Sequence, residues 1–347
     1  YVEPALTYPA LTSASAFTAL HWEAAYASIG VSVVELAQDN DGWRVQRDSA
    51  PGAGRTRRIT PFTPVVFAGP AANHRWISAA AAVVNAVEPG LAHEPKPQGA
   101  VNCGTLANCA GGRTPWGTYL SSEENFDGFF RLSDANAAEV IAAQEDAAWM
   151  WDAGRFGYPL FSRVSGAPAA PRQFDVANNP YGPSLYGWVV EIDPYDPTWA
   201  PRKRTSLGRK KGECATTAIA HDGRVAVYMG DDQIDHFVFK FVTEGRFDPA
   251  ARTANRDLLD HGTLYAARFD EDGSGEWIEL SVAACNRAVE EAPYHQAFAD
   301  AGDVVMRARE AAVLLGATPM DRPEDVEAPV DAQWRGHGFA LIVCTNN

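Results

Sequence analysis

Apolar residues in this chain come in short runs of strand length separated by turn-forming residues, and that spacing restricts the fold more than any other feature. The runs occupy residues 31–36, 43–46, 64–69, 186–192, 225–229, 237–242 and 340–344. Asp39-Asn40-Asp41-Gly42 is a turn signal between two of the early runs. Residues 270–275, between LYAARF and WIELS, predict a hairpin with a long tip. A mainly β chain follows. Short strands punctuated by aromatics and glycines suit a propeller, although no repeat with the period of about 40 to 50 residues expected of regular blades is visible. Two segments break the pattern. Residues 135–151 are Ala-rich, and within 297–315 the residues Phe298, Ala301, Val305, Ala308, Ala312 and Leu315 fall on one helical face. Both are expected as helical insertions, and Gly316 stands where a helix C-cap belongs. Residues 158–183 show no periodicity and are expected to form a loop that covers or lines a site.

Composition removes several function classes. A chain of 347 residues with 46% hydrophobic content builds a real core. Its longest apolar stretch, residues 77–86, falls far short of the roughly 18 to 20 residues that a membrane span needs. A formal net charge of −15 repels nucleic acid and anionic membrane alike. The five cysteines are odd in number and show no CxxC spacing, which argues against a zinc ribbon or a dense disulfide framework. The eight histidines are scattered, so a His-rich zinc site has no support, and neither a Ser-His-Asp arrangement nor a phosphate-binding Gly loop is present.

What remains is a thiol among acids. GTLANCAGGRTPWGTYLSSEENF, residues 104–126, sets Cys109 in small and turn-forming residues and then places Glu123 and Glu124 one short strand downstream. Buried carboxylates are costly unless a cation or hydrogen bonds compensate them, so this grouping points to a metal site. A thiolate mixed with carboxylates suits iron better than calcium. Glu123 and Glu124 alternate on an extended segment, so one of them reaches the metal of Cys109, and Glu124 is favoured. Asp231 and Asp232 close the strand VAVYMG, where carboxylates hold hard cations such as calcium, although Asp-Asp is equally a turn pair. Glu213 follows Arg209, Lys210, Lys211 and Gly212. Lys203, Arg204, Lys210 and Lys211 read as ordinary surface charges. Arg322 and Glu324 flank Pro323, and an arginine fork is a natural partner for phosphate.

Residues 104–126 resemble the signature of the PhoX-type alkaline phosphatases. Further pieces follow in that family's order: YGWVVEID at 186–193, KRTSLGRKKGE at 203–213, VAVYMGDD at 225–232, FKFV at 239–242 and REAAVLLGATPMDRPE at 309–324. The resemblance implies a six-bladed β-propeller as one domain over 1–347, with helical insertions near 135–151 and 281–316. It implies a metal-dependent phosphomonoesterase with Fe3+ and calcium, the cations supplying local positive charge for an anionic ester. Cys109, Glu124, Glu213 and Glu324 are expected as metal ligands, Asp231 and Asp232 as calcium ligands, and Arg322 with Asn346 as contacts to the substrate phosphate. A monomer in the periplasm or secreted is expected, after export by the twin-arginine route. The family's Asn-His-Glu ahead of the segment that begins here at Tyr1, and its continuation past Asn347, imply a piece of a longer protein. Two positions depart from the family: Gly212 stands where a histidine is usual, and Ala107 where asparagine is common. Two other readings share these residues. One is a calcium-dependent propeller hydrolase of the lactonase or phytase kind, which needs no thiolate. The other is a propeller that binds without catalysing.

Overall fold

The computed structural model describes residues 24–46, 54–86, 97–130, 172–292, 294–328 and 339–345. Among these, the strands form two large sheets and four two-stranded ladders. The first sheet has six strands in the order Val101–Asn102, Pro64–Ala68, Arg202–Arg204, Val189–Ile192, Tyr119–Glu123, Asn108–Arg113. The second has five, in the order Thr216–Ile219, Arg224–Gly230, Val238–Arg246, Gly262–Phe269, Gly275–Glu279. Neighbours are antiparallel except Arg202–Arg204 against Pro64–Ala68, which run parallel. The turn signals deliver their hairpins: Asp39 pairs with Gly42, and Phe269 with Gly275.

The sheets meet along their edges. The Ala215 N–H donates to the Gly111 carbonyl at 3.3 Å, and Thr217 Oγ1 donates to the Arg113 carbonyl at 2.8 Å. The approach is close enough that a Cβ on Gly112 would lie 2.0 Å from the Ala215 carbonyl oxygen, so the glycine of Ala-Gly-Gly-Arg is a steric requirement. This contact brings the Cys109 strand beside the segment that carries Glu213.

The helical expectations are met in part. Helix Arg75–Ala86 buries Trp76, Ile77, Ala80 and Val84 along one stripe. The expected insertion at 297–315 divides into Ala301–Met306 and Ala308–Leu314, preceded by Val282–Glu291. The break falls at Arg307 (φ −106°, ψ 34°), whose guanidinium donates to the carbonyls of Gln296 and Ala297. Gly316 is left-handed (φ 75°) after the last helix, as its C-cap reading required. No helix among the described residues is long and apolar enough to cross a membrane. The helix expected at 135–151 lies outside the described residues. In the described part of the 158–183 loop, Phe174 is buried, stacking on Tyr26 at 4.2 Å and lying 6.0 Å from Tyr186.

The basic run departs most from expectation, because Lys203, Arg204 and Lys210 are buried rather than solvated. Lys203 Nζ donates to Glu123 Oε1 at 2.8 Å and to the Leu185 carbonyl at 2.6 Å. Arg204 pairs with Glu191 at 2.7 Å and with Asp260, and Lys210 Nζ donates to the carbonyls of Leu207 and Gly208 at 2.7 and 2.9 Å. Lys211 is nearer the surface and pairs with Asp127 at 2.7 Å. A buried charge survives only with such partners, and here most of them come from distant segments.

Candidate metal centre

Cys109 sits in an irregularity of the ladder between Asn108–Arg113 and Tyr119–Glu123, where the register shifts between Asn108 and Gly111. Such bulges re-aim side chains, and this one turns the thiol toward Glu213. Cys109 Sγ donates to Glu213 Oε2 at 3.0 Å. The ligand atoms of Cys109, Glu124 and Glu213 lie within 4.8 Å of one another, and so do those of Glu213, Asp232 and Glu324. Glu213 therefore belongs to two overlapping triads.

The adjacent acids divide as alternation requires. Glu123 turns into the core and accepts from Thr105 Oγ1 at 2.9 Å, from the N–H groups of Gly187 and Trp188 at 3.0 and 3.2 Å, and from Lys203. Glu124 turns toward Cys109 and accepts from Asn125 Nδ2 at 2.5 Å. The Glu124 N–H donates to the Ala107 carbonyl at 3.0 Å, and Ala107 is left-handed (φ 51°). Asparagine tolerates that conformation better, which gives the family's usual residue a physical reason. At Gly212 a Cβ would lie 3.2 Å from Ser122 Cβ, so a histidine there would require Ser122 to give way.

Asp231 and Asp232 also part company. Asp232 joins Glu213 and Glu324, whereas Asp231 is buried and accepts both nitrogens of the Arg309 fork, Nε at 2.7 Å, with His236 Nδ1 at 2.9 Å. Asp231, expected as a calcium ligand beside Asp232, thus stands outside both triads, its oxygens bonded to Arg309 and His236. Asn346 lies outside the described residues.

Glu324 reaches the cluster because Gly230 lets its backbone come close. A Cβ on Gly230 would lie 2.0 Å from the Glu324 carbonyl oxygen. Arg322, itself left-handed (φ 59°), donates from Nε and Nη2 to Asp232 at 2.8 and 2.7 Å and from Nη2 to Glu324 Oε1 at 3.2 Å. Its side chain is 38% exposed, so the fork bounds the cluster and faces solvent. Thr345 Oγ1 donates to Glu324 Oε1 at 2.5 Å.

Electrostatics favour a cation here. Burial pushes the Glu124 carboxyl up to about 7, with Asp232 and Glu213 adding to the effect. Burial also raises Glu213, whose neighbours Glu324, Asp232 and Asp325 repel its charge. The Cys109 thiol, exposed on one side, is pushed up to about 12 by partial desolvation and by its bond to Glu213. Each shift marks a group that its surroundings hold back from ionising, and a nearby cation acts in the opposite sense. One thiol and four carboxylates fit a mixed soft and hard cation set.

Two residues of this arrangement are not evident from sequence: Arg309, which opens REAAVLLG, and the isolated His236. An arginine on the apolar side of a helix is the signal that points to the first.

The chain finds no match among curated proteins. Among solved structures it resembles Pseudomonas fluorescens PhoX in complex with vanadate, a transition state analogue, at 38% identity and a TM-score of 0.70. The similarity covers 89% of this chain and 49% of that one, so the chain spans about half the length of that relative. Since the model of the family described as Alkaline phosphatase PhoX matches residues 9–347, the thiol, the acids and the arginine just described lie in a chain that belongs to the PhoX family.

Proposed function

We propose that this chain hydrolyses phosphate monoesters at the acid cluster around Glu213. The observation that carries the proposal is the convergence of Cys109, Glu124, Glu213, Asp232 and Glu324 beside the exposed fork of Arg322, in a family one of whose members is seen with vanadate. Iron suits the triad that contains the thiol, Cys109, Glu124 and Glu213, and calcium suits the all-oxygen triad, Glu213, Asp232 and Glu324. When bound, such cations supply positive charge that offsets charge on the phosphoryl oxygens. The chain's own groups do the rest. Cys109 Sγ and Glu124 give up protons to become donors, and those protons leave to solvent. Arg322 presents a planar fork whose spacing matches two phosphate oxygens, so it orients the ester while Asp232 fixes the fork's plane. The proposal includes a six-bladed propeller forming one domain, monomeric, in the periplasm or secreted.

The test combines elemental analysis with phosphate release from a generic monoester at alkaline pH in the presence of calcium. Stoichiometric iron and turnover are expected of the full chain, with iron lost in Cys109→Ala. Iron retained in that variant, or no phosphate released by the parent protein, overturns the reading.

A further inference from the structure

We propose that Arg309 is a positioning residue for the acid cluster, acting through Asp231; the inference rests on the cluster being the cation site. Arg309 lies in the helix Ala308–Leu314 and is buried. Its Nε and Nη2 clamp the two oxygens of Asp231, and Nη1 donates to Gln233 Oε1 at 3.2 Å. Asp231 spends its remaining capacity on His236 Nδ1 at 2.9 Å and on the Lys211 N–H at 3.0 Å. Its carboxylate thus grips the backbone two residues before Glu213.

The main chain completes the frame. The Asp232 N–H donates to the Lys211 carbonyl at 2.9 Å, Gly212 and Asp231 form an isolated antiparallel bridge, and the Glu213 N–H points to the Gly230 carbonyl at 3.4 Å. Glu213 and Asp232 come from different segments, and this small ladder around Asp231 sets their separation. Because the pair is buried, its bonds act as directional restraints that water does not screen. The contacts of Arg309 to Asp231 and Gln233 are the route by which its effect reaches the cluster.

The same insertion contains its own control. Arg307 donates to Glu310 from Nε and Nη2, both at 2.7 Å, and His295 Nδ1 lies 2.8 Å from Glu310 Oε1. This site likewise joins a guanidinium, a carboxylate and an imidazole, with Glu310 where the other has Asp231, yet the guanidinium contacts of Arg307 lie within residues 296–310. Arg307 supports the insertion, whereas Arg309 ties it to the cluster.

The test is calorimetric titration of calcium into the metal-stripped full chain and into Arg309→Lys and Arg307→Lys, with melting temperatures measured alongside. Lysine keeps the charge and loses the two-pronged grip. Arg309→Lys is expected to weaken calcium binding about 10- to 100-fold, the range for partners that orient ligands, and Arg307→Lys to change it by no more than about twofold. Equal calcium affinities in the two variants overturn the proposal, even where Arg309→Lys melts lower. Should Arg309→Lys not fold, Asp231→Asn carries the same comparison, since it removes the charge that the Arg309 fork clamps and one of its two acceptor oxygens. A parent protein that binds no calcium at all overturns the cation-site reading and this inference with it, an outcome distinct from two variants that bind alike.

Discussion

Replacing Lys203 with methionine isolates the cost of a single buried charge. Lys203 and Glu123 are both fully shielded, with contacts of 2.8 and 3.1 Å between Nζ and the two carboxylate oxygens. Methionine fills most of the same volume, so packing against Phe67 and Tyr186, whose rings lie 5.8 and 4.2 Å from Nζ, is largely kept. What is lost is the compensation of Glu123 together with the bond to the Leu185 carbonyl, and breaking a buried pair from one side costs about 3 to 5 kcal/mol. With an unfolding entropy near 2.1 cal/mol/K per residue, a loss of about 4 kcal/mol in 347 residues lowers the melting temperature by about 5 to 6 °C. Burial already raises the Glu123 carboxyl, and without Lys203 it rises further. A carboxyl whose folded value lies above its unfolded value favours the fold at low pH and loses that advantage as pH rises through the folded value. The deficit of Lys203→Met is therefore smaller near pH 5 than near pH 8. Adding Glu123→Gln removes the stranded charge and recovers a large part of the loss, since the amide oxygen still accepts from the Gly187 and Trp188 N–H groups. Calorimetric melts of the parent, the single and the double variant at both pH values decide the matter. A single variant that melts with the parent, or a double variant that melts below the single, refutes the reasoning.

Two shorter predictions address the same frame. Gly230→Ala places a methyl group against the Glu324 and Pro323 carbonyl oxygens at 2.0 and 2.4 Å, so the backbone carrying Glu324 has to withdraw; a loss of about 1 to 3 kcal/mol is expected, with weaker calcium binding, and unchanged affinity and melting temperature argue against the close approach. Burial alone raises the Asp231 carboxyl, but Arg309 and His236 outweigh it and hold the group below the usual carboxylate range. Asp303 behaves likewise, its burial outweighed by bonds from His74 and the Ala299 N–H and by Arg75. Carboxyls depressed in the fold contribute stability that is present above the unfolded value near 3.9 and lost as pH falls toward the folded value. Urea unfolding followed from about pH 4 to about pH 2, below the range in which the raised carboxyls of Glu123, Glu124 and Glu213 titrate, should show stability falling steeply; a stability that holds or rises over that same interval contradicts these ion pairs.

The strands were legible because apolar spacing reports directly on packing: the runs at 64–69, 225–229 and 237–242 each contain or overlap an observed strand. The grouping of Cys109 with Glu213 was legible only through the order of long motifs, since 104 residues separate them and no local pattern links them. Alternation decided correctly between the sides taken by Glu123 and Glu124, and the same rule applied to Asp231 and Asp232 would have warned that only one faces the cluster. The buried basic run was invisible for a different reason. Whether a lysine is solvated or enclosed depends on what faces it, and the partner of Lys203 lies 80 residues away. The break at Arg307 was equally hidden, because helical periodicity describes a face and says nothing of a guanidinium that reaches back to carbonyls upstream.

Glu213 stands in both triads, and that sharing has a consequence for how the centre can drift in evolution. A donor serving one cation alone can be exchanged for another that tunes only that cation. A donor common to two offers no such freedom, because any change in its charge or reach is felt on both sides at once. On the proposed reading of the two triads as cation sites, losing Glu213 is expected to disable both together, while losing Cys109, Glu124, Asp232 or Glu324 singly should leave one of them furnished.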